Sequence, residues 1–273
     1  MVKNNIILAF RQLKRHRLFA TINVLGLALS MVACLLIFKY VNFEKSYDSY
    51  HKDGDQLYRI YRVAEGESPD DGVASVFPAM TPVIKATVPE VEYMSRFIGH
   101  GKIFQSFAFT YNSPEGVSNT FNIPKGLFAD DDALKIFTFD WVEGTSPSLG
   151  NPYEIVVSES FAKKFFGQES SVGKILRFRN MKQDFKVTGV FRDTPENTHM
   201  KFDVLCSISS LPKQWGLDEV SDRGFGWGNF YTYTKLSKGA DIGVVEAKIN
   251  DELSRVEGAW FKDAGVEFKL QKV

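Results

Sequence analysis

The sequence predicts an α+β protein that is anchored by one N-terminal transmembrane helix. Three observations support this class. A charge-free apolar run lies near the N-terminus. A strand–helix–strand order occurs both early and late in the remaining chain, and a segment with a different order of elements separates the two. The 273 residues are 44% hydrophobic and 14% aromatic, which is ample for a packed core and excludes general disorder. Equal numbers of basic and acidic side chains, 33 of each, argue against a nucleic-acid binder.

The apolar run covers residues 18–38, which are 21 residues without a charge. A helix rises 1.5 Å per residue, so this run would be about 30 Å long, the thickness of the hydrocarbon core of a bilayer. A helix buried in a globular core rarely lacks a polar face over six turns. The run therefore predicts a transmembrane helix over residues 18–41.

Charge around this helix predicts its orientation. The first 17 residues carry five basic and no acidic side chains, whereas the residues after the run sum to a small negative charge. The positive-inside rule places the N-terminus in the cytoplasm and the residues after about 41 outside. Within residues 1–17, Ile6, Phe10 and Leu13 recur at helical spacing opposite the basic residues, which is typical of an amphipathic helix on the inner leaflet.

Two kinds of N-terminal processing are alternatives to an uncleaved anchor. A cleaved signal peptide has a shorter apolar region and a small-residue cleavage site, and residues 39–47 offer no such site. The segment before Cys34 loosely resembles a lipidation motif, but Cys34 is followed by four more apolar residues rather than by a polar mature segment. Cys34 is therefore interpreted as a packing residue within the helix.

The first outer segment predicts a small sheet with a helix on one face. Residues 56–64 alternate apolar and polar side chains as a strand does, and residues 78–86 read as a short helix that ends before Pro89. Residues 91–98 and 102–110 are expected to form a strand pair around the turn Gly99-His100-Gly101.

The middle segment is expected to form an α+β module of its own. Its expected elements are a strand at 153–157, a helix at 159–166 capped by Ser158 and ended by Gly167, a hairpin of 174–179 with 184–191, and a strand at 202–208. The acidic run Asp130-Asp131-Asp132 precedes an apolar stretch. It is interpreted as the start of a helix, where the helix dipole favours acids, rather than as a metal site, because it lacks the spacing of a calcium loop.

The last segment repeats the strand–helix–strand order of the first. A strand is expected at 230–236, a helix at 240–256 with Val244, Val245, Ile249 and Leu253 on one face, and a strand at 265–273. Because strand–helix–strand occurs at both ends, we expect one domain that is built from both ends of the chain and accepts the middle as an insertion.

Catalytic chemistry is not indicated. The sequence has no phosphate loop, no nucleophile elbow and no zinc-protease motif. The histidines His16, His51, His100 and His199 lie in separate segments without ligand spacing, and Cys206 lies in an apolar strand as an expected free, buried thiol. The Gly-rich stretch 224–228 lacks the context of a dinucleotide site. We therefore expect no enzyme activity, no cofactor, no metal, and no catalytic or cofactor-binding residues.

Several local patterns resemble MacB-like and FtsX-like ABC transporter permeases, which include macrolide exporters and lipoprotein-release systems. Residues 9–17 followed by 22–28 are similar to the opening of these permeases, and residues 47–51 with 55–59 resemble the start of their periplasmic core domain. Further similarity lies, in the order of the family, at 137–139, 143–144, 151–152, 156–159, 165–167, 172–174, 187–190 and 199–203.

The resemblance implies a domain plan. Residues 1–17 would be a cytoplasmic amphipathic segment and residues 18–41 the transmembrane helix. A porter-like α+β module would comprise residues 42–118 and 225–273, interrupted by a sabre-like α+β module at residues 119–224. The family continues with three further transmembrane helices, so the chain is expected to be a fragment of a longer permease, single-pass as it stands, or a product that cannot couple to an ATPase alone.

The resemblance also implies a function. Such permeases couple a separate ABC ATPase to movement of extracytoplasmic domains that export or hand on a substrate. The implied partners are that ATPase, a second permease copy in a homo- or heterodimer, the lipid bilayer, and a periplasmic or outer-membrane protein, with no nucleic acid. The alternative is a singly anchored extracytoplasmic sensor or scaffold that binds a peptide, a lipid or an envelope partner. A membrane-anchored hydrolase is disfavoured because no nucleophile–base arrangement is visible.

Overall fold

The structure is a computed structural model that describes residues 8, 11–64, 66–99, 101–104, 106–113, 116–218, 225–226, 228–256 and 265–273. It divides into two compact units, residues 1–47 and 48–273. The expected division of the second unit at residues 118 and 224 stays a prediction, and position 224 lies outside the described residues.

The first unit contains one long helix, α1 (Arg17–Lys45). It has 29 residues, none of them buried, and by length and composition it is apolar enough to cross a membrane. Leu8 and residues 11–15 are also helical, whereas Ile6 and Phe10 of the expected amphipathic pattern lie outside the described residues. The expectation of one N-terminal apolar helix is confirmed.

The second unit mixes strands and short helices, which confirms the α+β class. Its described helices are α2 (Met80–Thr87), α3 (Ala133–Ile136), α4 (Glu159–Phe166) and α5 (Ile242–Val256). Its described strands are β1 (Leu57–Ala64), β2 (Ser75–Val76), β3 (Val91–Gly99), β4 (Phe107–Asn112), β5 (Ser118–Ile123), β6 (Gly126–Ala129), β7 (Trp141–Glu143), β8 (Glu154–Ser158), β9 (Ile175–Phe178), β10 (Gln183–Phe191), β11 (Val204–Ser207), β12 (Phe230–Leu236) and β13 (Val266–Lys272).

Four strands from the two ends of the second unit lie side by side in the order β13-β1-β12-β3, and all three neighbouring pairs are antiparallel. This is the order of a ferredoxin-like split β-α-β sheet. Helices α2 and α5 cover one face, where Val245, Ile249 and Leu253 of α5 are fully buried, as the helical spacing predicts. Val244, expected on the same face, is instead exposed. Strand β13 ends beside the start of β1, because the backbone N–H of Val273 donates to the carbonyl of Leu57 at 3.1 Å.

The sheet continues from β3 into the strands of the middle segment, in the order β6-β11-β8-β10-β9-β4-β5. Strand β8 runs parallel to β10 across helix α4, and the hydroxyl of Ser158 caps α4 by accepting from the backbone N–H of Phe161 at 3.2 Å. Gly167 ends this helix with φ of +67°, a conformation that favours glycine. The predicted cap, helix and following hairpin of β9 with β10 all form.

The core of the middle segment is largely aromatic. Phe178 stacks on Phe109 with ring centroids 4.8 Å apart, and Phe107 and Phe185 pack around the same ring at 5.3 and 5.7 Å. All four side chains are fully buried. Such rings contribute large buried areas together with favourable edge-to-face contacts, so this cluster fixes how β4, β9 and β10 pack.

The expected pairing of residues 91–98 with 102–110 is wrong. Strand β3 pairs with β12 and β6, whereas the next strand begins only at Phe107 and pairs with β5 and β9. The reason is that Gly101 adopts φ of +82° and the chain turns there into the middle sheet. Alternation of apolar residues indicated a strand, but it carried no information on its partner.

Candidate functional site

The second unit begins at Asp48, three residues after the end of α1. Its φ of 55° lies in the left-handed region, which Asp and Asn tolerate better than most residues. The backbone N–H of Asp48 donates to the carbonyl oxygen of Asn197 at 2.9 Å. The first residue of the unit is therefore held by a loop from the middle segment.

The carboxylate of Asp48 binds the same loop. Its Oδ1 accepts from the hydroxyl of Thr198 at 2.7 Å and from the backbone N–H of His199 at 3.2 Å. Its Oδ2 lies 2.7 Å from Nδ1 of His199. The side chain of Asp48 is only 9% exposed, and these bonds offset the cost of burying its charge.

Beyond Asp48, the imidazole of His199 reaches the core of the four-stranded sheet. Its Nε2 lies 2.8 Å from the hydroxyl oxygen of Tyr233 on β12. Burial raises the pKa of Tyr233 to about 12, so this hydroxyl is protonated at neutral pH and can donate to Nε2 while Nδ1–H donates to Asp48. We name Asp48, Thr198, His199 and Tyr233 the Asp48 clamp.

A second set of contacts lies just after Asp48. The backbone N–H of Thr138 donates to Nδ1 of His51 at 3.2 Å, and the hydroxyl of Thr138 accepts from the backbone N–H of Lys52 at 2.9 Å. The ring of His51 packs against Tyr50 and Phe137, with centroids 4.0 and 5.1 Å apart. Burial lowers the pKa of His51 to about 4, because a charged imidazolium would lose its hydration there.

These contacts form a structural anchor, because Asp48 and Tyr233, which bind the two nitrogens of His199, are both buried. Among residues 8–273 as far as the structure describes them, no group of three or more His, Cys, Asp or Glu side chains is placed to hold a metal ion. The clamp instead joins the chain that leaves α1 to two places at once: the middle segment, through Thr198 and His199, and β12, through Tyr233.

A buried ion pair lies where β3 meets β6. The guanidinium of Arg96 on β3 binds Asp130 through two bonds, Nη2 to Oδ1 at 2.7 Å and Nε to Oδ2 at 2.9 Å, and its Nη1 donates to Asp218 at 2.7 Å. Burial by itself would lower the pKa of Arg96, but the two carboxylates outweigh it and raise that pKa. Arg96 is therefore a charged cross-link between the two parts of the sheet.

The acidic run does not cap a helix with its side chains. Asp132 is the N-cap residue of α3 but makes no capping side-chain bond, and it accepts instead from Nζ of Lys85 at 2.5 Å. Asp131 accepts from the backbone N–H of Leu149 at 2.8 Å. The interpretation as a helix start was right about position, since α3 begins at Ala133, but each carboxylate holds a different neighbouring segment.

The other residues considered from the sequence lie apart from the clamp. Cys206 is a free thiol with no exposed surface, as expected, and burial raises its pKa well above the usual range. Phe225 in the Gly-rich stretch and Phe230 just after it are buried in the core. Trp227 and His100 lie outside the described residues.

Sequence patterns do not predict the clamp, although two segments that contribute to it resemble the family. These are residues 47–51, which include Asp48, and residues 199–203, which include His199. Their meeting depends on contacts between residues 150 positions apart, as between Asp48 and Thr198, which no local periodicity reveals. The available signal was a run of polar and aromatic residues, unusual for a linker, directly after the apolar helix.

Comparison with known proteins gives a consistent result. Residues 20–252 match the model of the family described as MacB-like periplasmic core domain. No curated protein matches the chain.

Three solved structures share the fold. A domain of a putative permease protein from Porphyromonas gingivalis superposes with a TM-score of 0.65 at 21% identity, covering 82% of this chain and 92% of that one. The periplasmic region of MacB from Actinobacillus actinomycetemcomitans gives 0.52 at 14% identity, with coverage of 80% and 89%. The extracellular domain of the noncanonic ABC-type transporter YknZ from Gram-positive bacteria gives 0.50 at 13% identity, with coverage of 79% and 99%.

Proposed function

The chain belongs to the family of MacB-like periplasmic core domains, and we propose that it is part of an ABC transporter permease subunit of the macrolide-exporter or lipoprotein-release type. Its role is mechanical: it couples ATP turnover by a partner ATPase to movement of its extracytoplasmic unit, which exports or hands on a substrate. The observation that carries this proposal is the Asp48 clamp, which fixes the chain leaving α1 to two parts of the outer unit.

The clamp supports a path for force. Residues 46–47 link the end of α1 to Asp48, so any shift or rotation of the helix pulls first on Asp48. From there, Thr198 and His199 lead into the middle segment, and Tyr233 leads into β12. Because hydrogen bonds to a charged, largely buried carboxylate are short and strong, they resist such a pull better than packing contacts of the same number.

The proposed partners follow from this role. They are a separate ABC ATPase chain, a second permease copy, the bilayer around α1, and a periplasmic or outer-membrane protein that receives the substrate; nucleic acid has no part. The proposed location is the inner membrane of a bacterium, with the N-terminus in the cytoplasm and residues after about 41 outside. The uneven charge supports this orientation, since five basic residues precede the apolar run.

Isolation of the complex tests the coupling. An affinity-tagged chain, purified from native membranes in mild detergent, should bring with it a polypeptide that carries a phosphate loop and an ABC signature, and the preparation should hydrolyse ATP in a vanadate-sensitive way. Isolation of the chain without such a polypeptide and without ATP hydrolysis would favour the sensor or scaffold function instead.

Cysteine labelling tests the orientation. Cys206 is fully buried, so a Cys34→Ser background leaves no reactive thiol among the described residues. In that background, Ser118→Cys on the exposed edge of β5 should react with an impermeant maleimide added to intact spheroplasts, and Lys14→Cys should react only after lysis. The reverse pattern would refute the topology, and loss of membrane retention in Cys34→Ser would restore the lipidation alternative.

A further inference from the structure

An apolar pocket lies behind the loop that forms the clamp. Its apolar lining comes from Tyr50, Phe137, Phe139, Phe191, Pro195 and Phe202, and its volume is about 160 Å³. Phe139, Phe191 and Phe202 form one continuous wall, with ring centroids between 5.5 and 6.1 Å apart. An engineered cavity of about 150 Å³ with apolar walls is known to bind benzene, so this pocket has room for one aromatic ring.

The charged edge of the pocket favours an aromatic occupant over an aliphatic one. Arg192 lines the pocket and pairs with Asp140 through Nε, 3.2 Å from Oδ2, and both side chains are about two-thirds exposed. A guanidinium is attracted to the face of an aromatic ring, and ring–ring contacts with the phenylalanine wall add to this attraction. An aliphatic group of the same size would gain neither.

The loop over the pocket is fixed at both of its ends. At its start, the backbone N–H of Arg192 donates to the carbonyl of Asp140 at 2.8 Å, and Asp193 accepts from the backbone N–H of Ser160 at 3.0 Å. At its end, Thr198 holds the carboxylate of Asp48. Between these points, Thr194 and Pro195 line the pocket, so an occupant would contact the part of the loop that is not pinned.

Two further pocket residues touch the clamp region directly. The hydroxyl of Tyr50 lies 3.5 Å from that of Thr198, and Thr138 bonds to both His51 and Lys52. The segment that follows Asp48 therefore contributes Tyr50 to the pocket and is bonded to a second pocket residue, Thr138. Filling the pocket would restrict these residues together.

We propose that this pocket is a binding site for a small molecule built on a single aromatic ring, and that an occupant restricts the motion of the Asp48 clamp. The site is additional to the mechanical role proposed above and rests on the geometry of the clamp, not on coupling to an ATPase.

Hydrogen exchange of the full chain in lipid nanodiscs tests the site with fluorobenzene as the probe. Saturable binding should slow amide exchange in residues 192–199 and 48–52 at least threefold, and fluorocyclohexane should bind at least fivefold more weakly. No saturable change in these segments, or equal binding of the two probes, would overturn the proposal. Tighter binding of N-acetylphenylalaninamide than of fluorobenzene would overturn the small-molecule assignment in favour of a peptide.

Matched variants localise the effect. Phe139→Leu removes one ring of the wall and should weaken fluorobenzene binding several-fold, whereas Phe121→Leu, at another partly buried ring that packs on Phe165, should not. If Phe139→Leu does not fold, the exposed substitution Arg192→Gln replaces it and should reduce the preference for fluorobenzene over fluorocyclohexane. An unchanged preference in Arg192→Gln, or equal weakening in Phe121→Leu, would contradict the assignment.

Discussion

The carboxylate of Asp48 and the imidazole of His199 are separated by 151 positions in the sequence and by 2.7 Å in the structure. This pair connects the first residue of the second unit to a loop of the middle segment. Through the second nitrogen of His199 the connection extends to Tyr233 in the four-stranded sheet. The start of the second unit is therefore bonded to two of its regions.

Asp48→Asn should destabilise the second unit by about 1.5–3 kcal/mol, because the charge-assisted bonds from Thr198 and His199 are lost. The left-handed backbone conformation is still tolerated by Asn. Asp53→Asn is the matched control. Asp53 accepts from Lys235 at 2.5 Å but its side chain is 49% exposed, so its removal should change stability by less than about 1 kcal/mol. Urea unfolding monitors both, and a loss in Asp48→Asn no larger than in Asp53→Asn would contradict the importance of the clamp.

Low pH should reduce the stability of the second unit through protonation of His51. The pKa of His51 is lowered from 6.5 to about 4 by burial. Between these values the unfolded chain binds a proton that the folded chain does not, so the free energy of unfolding falls as pH falls from 6.5 to 4, by about 3 kcal/mol in total.

His51→Asn tests this dependence, because the amide oxygen of Asn can accept from Thr138 without titrating. The variant should lose less stability than the parent between pH 7 and pH 4, measured by urea unfolding at each pH. His16→Asn, at an exposed site in the first unit, should keep the parent's profile. Parallel profiles for the parent and His51→Asn would show that another group is responsible.

Arg96→Met should cost about 3–5 kcal/mol, because it leaves the carboxylate of Asp130 beside β3 without its partner. The side chain of Arg96 is only 6% exposed. Arg177→Met is the control at a solvent-exposed pair, since Arg177 and Asp184 are 44% and 57% exposed, and it should cost less than about 1 kcal/mol. Similar losses in the two variants, compared by thermal unfolding, would argue against a cross-link between β3 and β6.

Gly126→Ala on β6 should lower the free energy of unfolding by about 1–3 kcal/mol, because the added methyl group overpacks the core of the middle segment. A Cβ at Gly126 would lie 2.4 Å from Cδ1 of Phe107, a fully buried ring in the aromatic core. Gly54→Ala meets nothing within 4 Å and serves as the control. The prediction fails if Gly126→Ala melts at the same temperature as the parent.

Local patterns predicted most of the elements and few of their partners. The strand at 57–64, the helix with its Ser158 cap and the strand at 230–236 could be identified because each depends on periodicity or on a capping residue next to the element. Strand β5, with the sequence SNTFNI, could not, because its mostly polar residues lie exposed at an edge of the sheet.

The clamp was beyond local patterns for a different reason. Asp48, Thr198 and Tyr233 are ordinary residues in their own segments, and their roles appear only when β12 and the 192–199 loop come together. The acidic run shows the same limit. Its position before α3 was visible, but the partners of Asp130 and Asp131 depend on strands and loops that are distant in sequence.

Hydrogen exchange of the clamp in two nucleotide states tests the central claim most directly. The complex of the chain with its ATPase, in lipid nanodiscs, is compared without nucleotide and after trapping with ATP and vanadate. Force transmission through Asp48 predicts that exchange in residues 48–52 and 197–199 changes together on trapping, and that Asp48→Asn abolishes the change at 197–199 while ATP is still hydrolysed. Identical exchange in both segments in the two states, with the ATPase active, would contradict the account.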